Sequence, residues 1–453
     1  MKISGKQTFQ LNGPFYTGFF IDSSTLIEEG YSKAQRRILT ALEKNKAQGW
    51  AIEGLRGRDD LLFGAEFAKK SVYAGTLMTA PSLIIHKLPI LDKEIDFQGY
   101  QFVIKSVISY YHDYGVGIYN LDVELTLTEE IQLSEYRTIV EQFSATLTSI
   151  LNPYIAEDTS TFKHILESLS IPIEDYEAVC ELLEARGSNF IPLQQCLWFH
   201  RIFTFTVETE ITDELINEFL VLLSSSQPEG PKNCSLSPNA AVFPGYGNSL
   251  LIVNQKLDKQ INLDRLIAVA QFYYATTSLL DTILFMRFAD FFAKKDADLR
   301  IQEIEKDVHE VKRLGDQLEL FLLLLKDSRL NFSPDSTQMW SVLEAEWYYT
   351  PLLAALQEKT ELLQNKSKEL LDDLNQKRQA TLNKLVKVFT VLAVLGPLLE
   401  VYVFLSDNEV VVTDSIDFFL LNLGLILLVS IPISTALLAG GYYLAKKYLM
   451  KYF

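Results

Sequence analysis

The stretch 388-VFTVLAVLGPLLEVYVFL-405 carries a single charge, Glu400, and the stretch 418-FFLLNLGLILLVSIPISTALLAGGYYLA-445 carries none. A bilayer core takes about 20 apolar residues in helical form. In lipid the backbone of an isolated pair of segments can satisfy its own polar groups only as helix. The two runs, 18 and 28 residues long, therefore predict membrane helices at 388–405 and 418–445. The competing reading, a buried hairpin in a soluble core, fits poorly with an uncharged run as long as the second.

The flanks give an orientation. Lys377, Arg378, Lys384 and Lys387 precede the first run, and Lys446, Lys447 and Lys451 follow the second. The connecting segment 406–417 holds Asp407, Glu409, Asp414 and Asp417 and no basic residue. Basic residues stay on the cytoplasmic side. The sequence thus predicts an integral inner- or plasma-membrane protein with both termini in the cytoplasm and only the 406–417 loop outside. Tyr402, Tyr442, Tyr443, Tyr448 and Tyr452 stand where interfacial aromatics are expected.

Working back from the membrane, no Pro or Gly occurs between Pro351 and Gly396. One helix is predicted from Pro351 into the first span, on the order of 80 Å long. Its apolar seam is Leu356, Leu363 and Leu370, with Leu352 and Leu374 adding contacts, while Lys359, Lys366 and Ser367 make the seam partly polar. Such a pattern suits a wide stalk around a wetted axis better than a strict two-stranded coiled coil. Upstream, Ile301, Ile304, Val308, Val311, Leu314, Leu318, Phe321 and Leu325 form a second stripe at steps of three and four. The turn Asn331–Asp335 ends that helix, and another is expected to start near Thr337–Met339. Leu266–Ala293 reads as a further long amphipathic helix.

Residues 1–255 read as a mixed α and β cytoplasmic body, and 256–387 as long helices and stalk. Tyr100–Tyr111 and Val116–Thr126 form a predicted hairpin joined by 112-HDYG-115. Leu197–Val207 and Ala240–Val253 are further strand candidates, the latter carrying the turn-rich 243-FPGYGNS-249. Helices are expected at 31–48, 129–150, 160–186 and 212–223. Ser224–Pro238 reads as an exposed polar loop.

The formal net charge is -17, which disfavours binding to nucleic acid phosphates and favours attraction of cations. Cys180, Cys196 and Cys234 form no C-x-x-C pair, which suits a reducing compartment, and the start Met1–Lys6 opens no signal-peptide core. The glycines of 115-GVG-117 lack the third glycine and following helix of a dinucleotide loop. His86, His112, His164, His200 and His309 show no ligand spacing, and His200 reads as a satisfied core group. Trp340 and Trp347, seven apart, read as packing between long helices. No catalytic constellation is visible, so the chain is read as a non-enzyme.

A mixed cytoplasmic domain, long antiparallel helices, a stalk helix continuous with the first span, a short acidic outer loop and a basic tail resemble the CorA family of divalent-cation channels. The resemblance covers about 260–453 by architecture and 1–255 only by general pattern. In that family an Asn follows a Pro by eleven residues at the outer end of the first span, within a Gly-Met-Asn signature. Here Pro397 leads to Asn408, while Ser406 and Asp407 replace the Gly and Met. The resemblance implies a funnel-shaped homopentamer that passes Mg²⁺ or another divalent cation by gated passive permeation, the first span lining the pore. It implies no cofactor other than a regulatory divalent cation such as Mg²⁺ on the acidic helices.

On this reading Gly396, Glu400, Val403 and Asp407, stepping by four, three and four, share one helix face toward the axis. Leu392 and Leu399 form constrictions at its edge, and Ser406 is read as pore-lining as well. Asn408 forms the outer ring, and Glu409, Asp414 and Asp417 concentrate cations at the mouth. Glu400 alternatively bonds Asn422, Ser430 or a Tyr of the second span in neutral form. The basic residues Lys377, Arg378, Lys384, Lys387, Lys446, Lys447 and Lys451 make an inner collar or contact lipid headgroups. A rival reading is a membrane-bound sensor or effector whose cytoplasmic domain binds a small signalling molecule and opens the membrane.

Overall fold

The computed structural model describes residues 1–21, 50–51, 84–87, 93–111, 114–176, 192–235, 237–257, 261, 263–294 and 301–407, with Gly424 and Ala439. The expected helix at 31–48 lies outside them. The chain is α+β and divides into two units, Met1–Asp290 with Asp316–Thr360, and Phe291–Gly315 with Glu361–Phe453.

The first unit is built on a nine-stranded mixed sheet. Its strands are β1 (Lys2–Tyr16), β3 (Trp50–Ala51), β4 (Ile84–Lys87), β5 (Lys93–Phe97), β6 (Tyr100–Tyr111), β7 (Val116–Gln132), β9 (His200–Val207), β10 (Ala240–Phe243) and β11 (Asn248–Asn254). The order is β10-β11-β9-β1-β7-β6-β4-β3, with β5 paired to β6. The remaining strands, β2 (Phe19–Ile21) and β8 (Ile173–Asp175), pair separately. Among the described residues, only β9 and β11 run parallel in the large sheet.

The expected hairpin is β6 and β7, antiparallel from Gln101 opposite Thr126 to Tyr111 opposite Gly117. Alternation explains it: Leu121, Val123, Leu125 and Leu127 are buried and the residues between them half-buried. Gly115 has φ of +73°, the left-handed turn conformation that favours glycine. Gly117 lies against the Phe15 ring, which a Cβ there would overlap. The expected strands at 197–207 and 240–253 are β9 and the β10–β11 pair, with 244–247 forming the loop between the latter.

Helix α1 (Leu133–Ser168) covers one face of the sheet through Tyr136, Val140, Phe143, Leu147, Leu151 and Ile155. The Phe143 ring stacks on Phe102 with centroids 3.7 Å apart. Two helices, 129–150 and 160–186, were expected here. Instead β7 continues to Gln132, held opposite Lys2, and one helix then runs unbroken through Pro153. The polar segment 156–161 stays helical because Asp158 turns inward. Its Oδ2 accepts hydrogen bonds from Ser109 Oγ at 2.8 Å, Tyr111 Oη at 2.6 Å and Tyr119 Oη at 3.3 Å. Three hydroxyls thus compensate a buried carboxylate. Burial, then the Asp158 charge, raises the pKa of both tyrosines well above the usual value, so they remain donors.

Helix α2 (Asp213–Phe219), capped by Thr212, continues as a 3₁₀ turn to Leu222, close to the expected 212–223. Helix α3 (Leu263–Lys294) meets the opposite face of the sheet, where Asn12 Nδ2 donates to the Asp264 carbonyl at 2.8 Å and Gln271 Nε2 to the Asn12 carbonyl at 2.9 Å. Helices α4 (Ile301–Asn331), α5 (Pro334–Glu346) and α6 (Tyr349–Asp407) follow. On α4 the stripe residues Val308, Val311, Leu318, Phe321 and Leu325 are buried. Helix α5 starts at Pro334, three residues before the expected Thr337, because Ser333 accepts from the Ser336 backbone N–H and Pro334 suits the first turn. Tyr348, at φ of +51°, breaks the chain between α5 and α6.

Part of the predicted exposed loop is anchored. Glu346 is buried and accepts from Ser225 Oγ at 2.6 Å and from the Ser226 backbone N–H at 2.7 Å. Ser225–Gln227 are therefore half-buried, since a buried carboxylate needs donors that a solvated loop would not bring.

In the second unit, Val308 and Leu374 pack together with Leu370 against them, and Arg378 donates to Glu305. Helix α6 spans 59 residues, about 88 Å; of its expected seam Leu356 and Leu363 are buried and Leu370 is half-buried, while Leu374, expected to add contacts, is buried.

Replacing Asp158 by Ala leaves buried hydroxyls without their acceptor, and the expected destabilisation is about 2–4 kcal/mol. Thermal unfolding of the full chain in detergent reads it as a drop of several degrees in the midpoint; an unchanged midpoint contradicts the role assigned to Asp158.

Candidate functional site

Two regions concentrate features that the packing of the fold does not require. The first is the C-terminal part of α6. Tyr349–Leu399 is long and apolar enough to cross a membrane, with mean hydropathy 1.7 over its most apolar 18 residues, and none of that window is buried. Among the described residues it is the one helix with this property. A core helix of a soluble protein would bury such a window; here Val388, Val391, Leu392, Leu395, Leu398 and Leu399 are all exposed. With Thr390, Ala393, Gly396 and Pro397 between them, the run 388–399 places no charged residue on any side of the helix, as a lipid-facing segment would.

Leu392, Gly396 and Leu399 lie in this window, and nothing stands within 4 Å of a Cβ built on Gly396. Glu400, Val403, Ser406 and Asp407 continue the same helix, so the steps from Gly396 to Asp407 do place one face in line; their side chains are not described. Asn408, Glu409, Asp414 and Asp417 lie outside the described residues, as do Lys446, Lys447, Lys451 and the second run apart from Gly424 and Ala439, both helical. Of the basic collar, Lys377, Lys384 and Lys387 are exposed on α6, whereas Arg378 is engaged by Glu305. Among the described residues no group of three or more His, Cys, Asp or Glu is placed to hold a metal ion.

The second region is a cavity of about 770 Å³ in the first unit. It opens where β9 and β11 begin, between α1, the β10–β11 loop, α3 and the end of α5. Ser144, Ala145, Thr148 and Ser149, at i, i+1, i+4 and i+5, give α1 a small-residue face there. Trp198, Phe199, His200 and Arg201 come from the start of β9, Tyr246 and Gly247 from the loop, Tyr274 from α3, and Trp347 from the residue after α5.

Hydrogen bonds hold these groups in place. Arg137 Nε donates to Glu141 Oε1 at 2.8 Å, and Asn248 Nδ2 donates to the same oxygen at 2.9 Å. Asn248 Oδ1 accepts from Arg201 Nη1 at 3.2 Å, and Ser144 Oγ from Arg201 Nε at 2.8 Å. Burial acts against the Glu141 charge, yet the bonds from Arg137 and Asn248 outweigh it and lower its pKa. Arg201 loses solvation by burial, which Glu141 offsets and Arg137 reinforces, for a net lowered pKa.

Trp347 Nε1 donates to the Gly245 carbonyl at 3.2 Å. Tyr274 meets Trp198 edge to face at 6.0 Å and Trp347 likewise at 5.9 Å. His200 is buried and bonded to Ser249 Oγ at 2.8 Å, as expected of a satisfied core group. Trp340 packs on Tyr273, Phe332 and Tyr349, and Trp347 on Tyr274 of α3, as expected of packing tryptophans, but Trp347 also lines the cavity.

Sequence reasoning singled out the strand 197-LWFHRIFTFTV-207 and the loop 243-FPGYGNS-249 without bringing them together. The available signal was an arginine and a tryptophan within an otherwise apolar strand candidate.

Burial, and then the Arg201 charge, pushes the His200 pKa from the usual 6.5 down to about 3. A lowered histidine pKa favours the neutral imidazole in the folded state. Its contribution to stability is complete above about pH 6.5 and is lost as pH falls toward 3. The unfolding midpoint should therefore decline between pH 7 and 4.5, and His200→Asn should reduce that slope; parallel pH profiles for the two proteins contradict this.

Compared with known proteins, the chain matches no family model, no curated protein and no solved structure.

Proposed function

We propose that this chain is a membrane protein of CorA-like build in which α6 crosses the bilayer and, repeated in a homo-oligomer, borders a gated path for cations. The observation that carries this reading is the exposed apolar stretch of α6 running straight into Glu400. Its apolar circumference is stable in lipid and costly in water. A carboxylate within such a span is costly unless it faces water or a partner. Symmetry offers both, because Gly396, Glu400, Val403 and Asp407 from each copy would meet around one wet axis. A ring of Glu400 carboxylates attracts cations and rejects anions.

In this reading the run 418–445 returns the chain to the cytoplasm, and the acids of 406–417 with Asn408 form the outer mouth. Exposed Lys377, Lys384 and Lys387, with the basic tail, face the inner headgroups. Divalent cations, Mg²⁺ among them, are the proposed cargo. The net charge of -17 supports cation attraction and argues against nucleic acid as a partner.

The cavity favours a second reading, the ligand-responsive membrane effector. Its wall residue Trp347 lies two positions before Tyr349, where α6 starts, and Tyr349 Oη bonds Thr277 Oγ1 of α3 at 2.9 Å. A ligand touching Trp347 therefore acts on the corner from which the long helix departs. The two readings combine as a cation path whose opening is set by ligand.

The test is cation flux into liposomes carrying the purified chain. Flux is expected for the unmodified protein, and Glu400→Gln is expected to lower it by about tenfold through loss of the local cation concentration. Absence of flux with and without added small molecules, or flux indifferent to Glu400→Gln, removes the channel reading.

A further inference from the structure

The lining of the cavity contains one cation, Arg201, and no carboxylate. The Arg201 guanidinium is bonded to two neutral oxygens, Ser144 Oγ and Asn248 Oδ1. The acid that it senses, Glu141, spends its hydrogen bonds on Arg137 and Asn248 instead. A largely buried guanidinium with neutral partners gains most from an anion brought to it, and its planar fork suits phosphate.

The other wall is aromatic. Trp198 and Trp347 both stand edge to face against Tyr274, and Trp198 remains 37% exposed and Tyr246 57% exposed. Large rings left open around a cavity provide flat surfaces on which a base can stack. A cage for a quaternary ammonium also uses such rings, but Arg201 opposes a cation, and the volume of about 770 Å³ suits a larger ligand.

We propose that this cavity is a nucleotide-binding site, with the base against Trp198, Tyr274 and Trp347, a phosphate on Arg201, and the Ser144–Ser149 face of α1 beside the sugar. The inference deepens the ligand-responsive reading above. It needs no pore, because binding is measured on the full chain in detergent whether or not the protein conducts.

Tryptophan fluorescence and calorimetric titration would use the four ribonucleoside 5′-monophosphates, the dinucleotide ApA, adenosine and glycine betaine as probes. At least one nucleotide is expected to bind saturably and quench tryptophan emission. It should bind about tenfold tighter than its own nucleoside, the factor a charge-assisted bond supplies. Trp198→Ala, at a half-exposed position, is expected to keep the melting transition and weaken nucleotide binding about tenfold or more. Arg201→Gln is expected to erase the preference for nucleotide over nucleoside; should that variant not fold, the wild-type comparison still decides. Failure of every nucleotide to bind at millimolar concentration, tighter binding of glycine betaine, or an unchanged affinity in Trp198→Ala overturns the proposal.

Discussion

The constraint on which the rest depends is the unpartnered apolar surface of α6 beyond Lys387. Leu392, Leu395, Leu398 and Leu399 are each at least 46% exposed on a helix apolar around its circumference. Water penalises such a surface by about 25 cal/mol per Å². Lipid would remove the penalty, and a helix pairs its backbone groups internally, apart from the Ala393 carbonyl, whose donor Pro397 lacks. Placing this segment in a membrane in turn gives meaning to the lysines before it and to Glu400 within it.

The first unit has a different logic. Its sheet is held by aromatic packing, with Phe102 stacked on Phe143 and Phe15 edge to face with Tyr111 and Tyr119. Three of its carboxylates are bonded by named donors: buried Asp158 by three hydroxyls, buried Glu346 by Ser225 and Ser226, and half-buried Glu141 by Arg137 and Asn248. Arg201 is the exception, a guanidinium bonded to neutral partners beside open space. The same cavity touches Trp347, next to the bend at Tyr348 that sets off α6. The cavity and the departure of the long helix thus share a wall.

Much of the architecture was legible in the sequence because it is written in local periodicity. The alternation of β6 and β7, the stripe on α4 and the leucine seam of α6 all depend on spacing along one segment. Where the reading failed, the deciding interaction was remote. The end of β7 at Gln132 is set by Lys2 at the other end of the chain, and the continuity of α1 through 156–161 by hydroxyls on β6 and β7. Ser225–Gln227 look like solvated loop until Glu346 is placed beside them. The cavity was invisible for the same reason, since Trp198, Arg201, Tyr246, Tyr274 and Trp347 come from four separate stretches and no spacing rule unites them. Trp347 in particular has the sequence setting of a packing residue; it does pack on Tyr274, and it lines the cavity as well.

The central claim, that the segment around Pro397 traverses lipid, is tested most directly by cysteine accessibility in intact cells, with the native cysteines replaced. Ser406→Cys should react with a membrane-impermeant maleimide added outside, while Ser367→Cys should react only after permeabilisation. Labelling of both positions only after permeabilisation would contradict the account and return α6 to one side of the membrane.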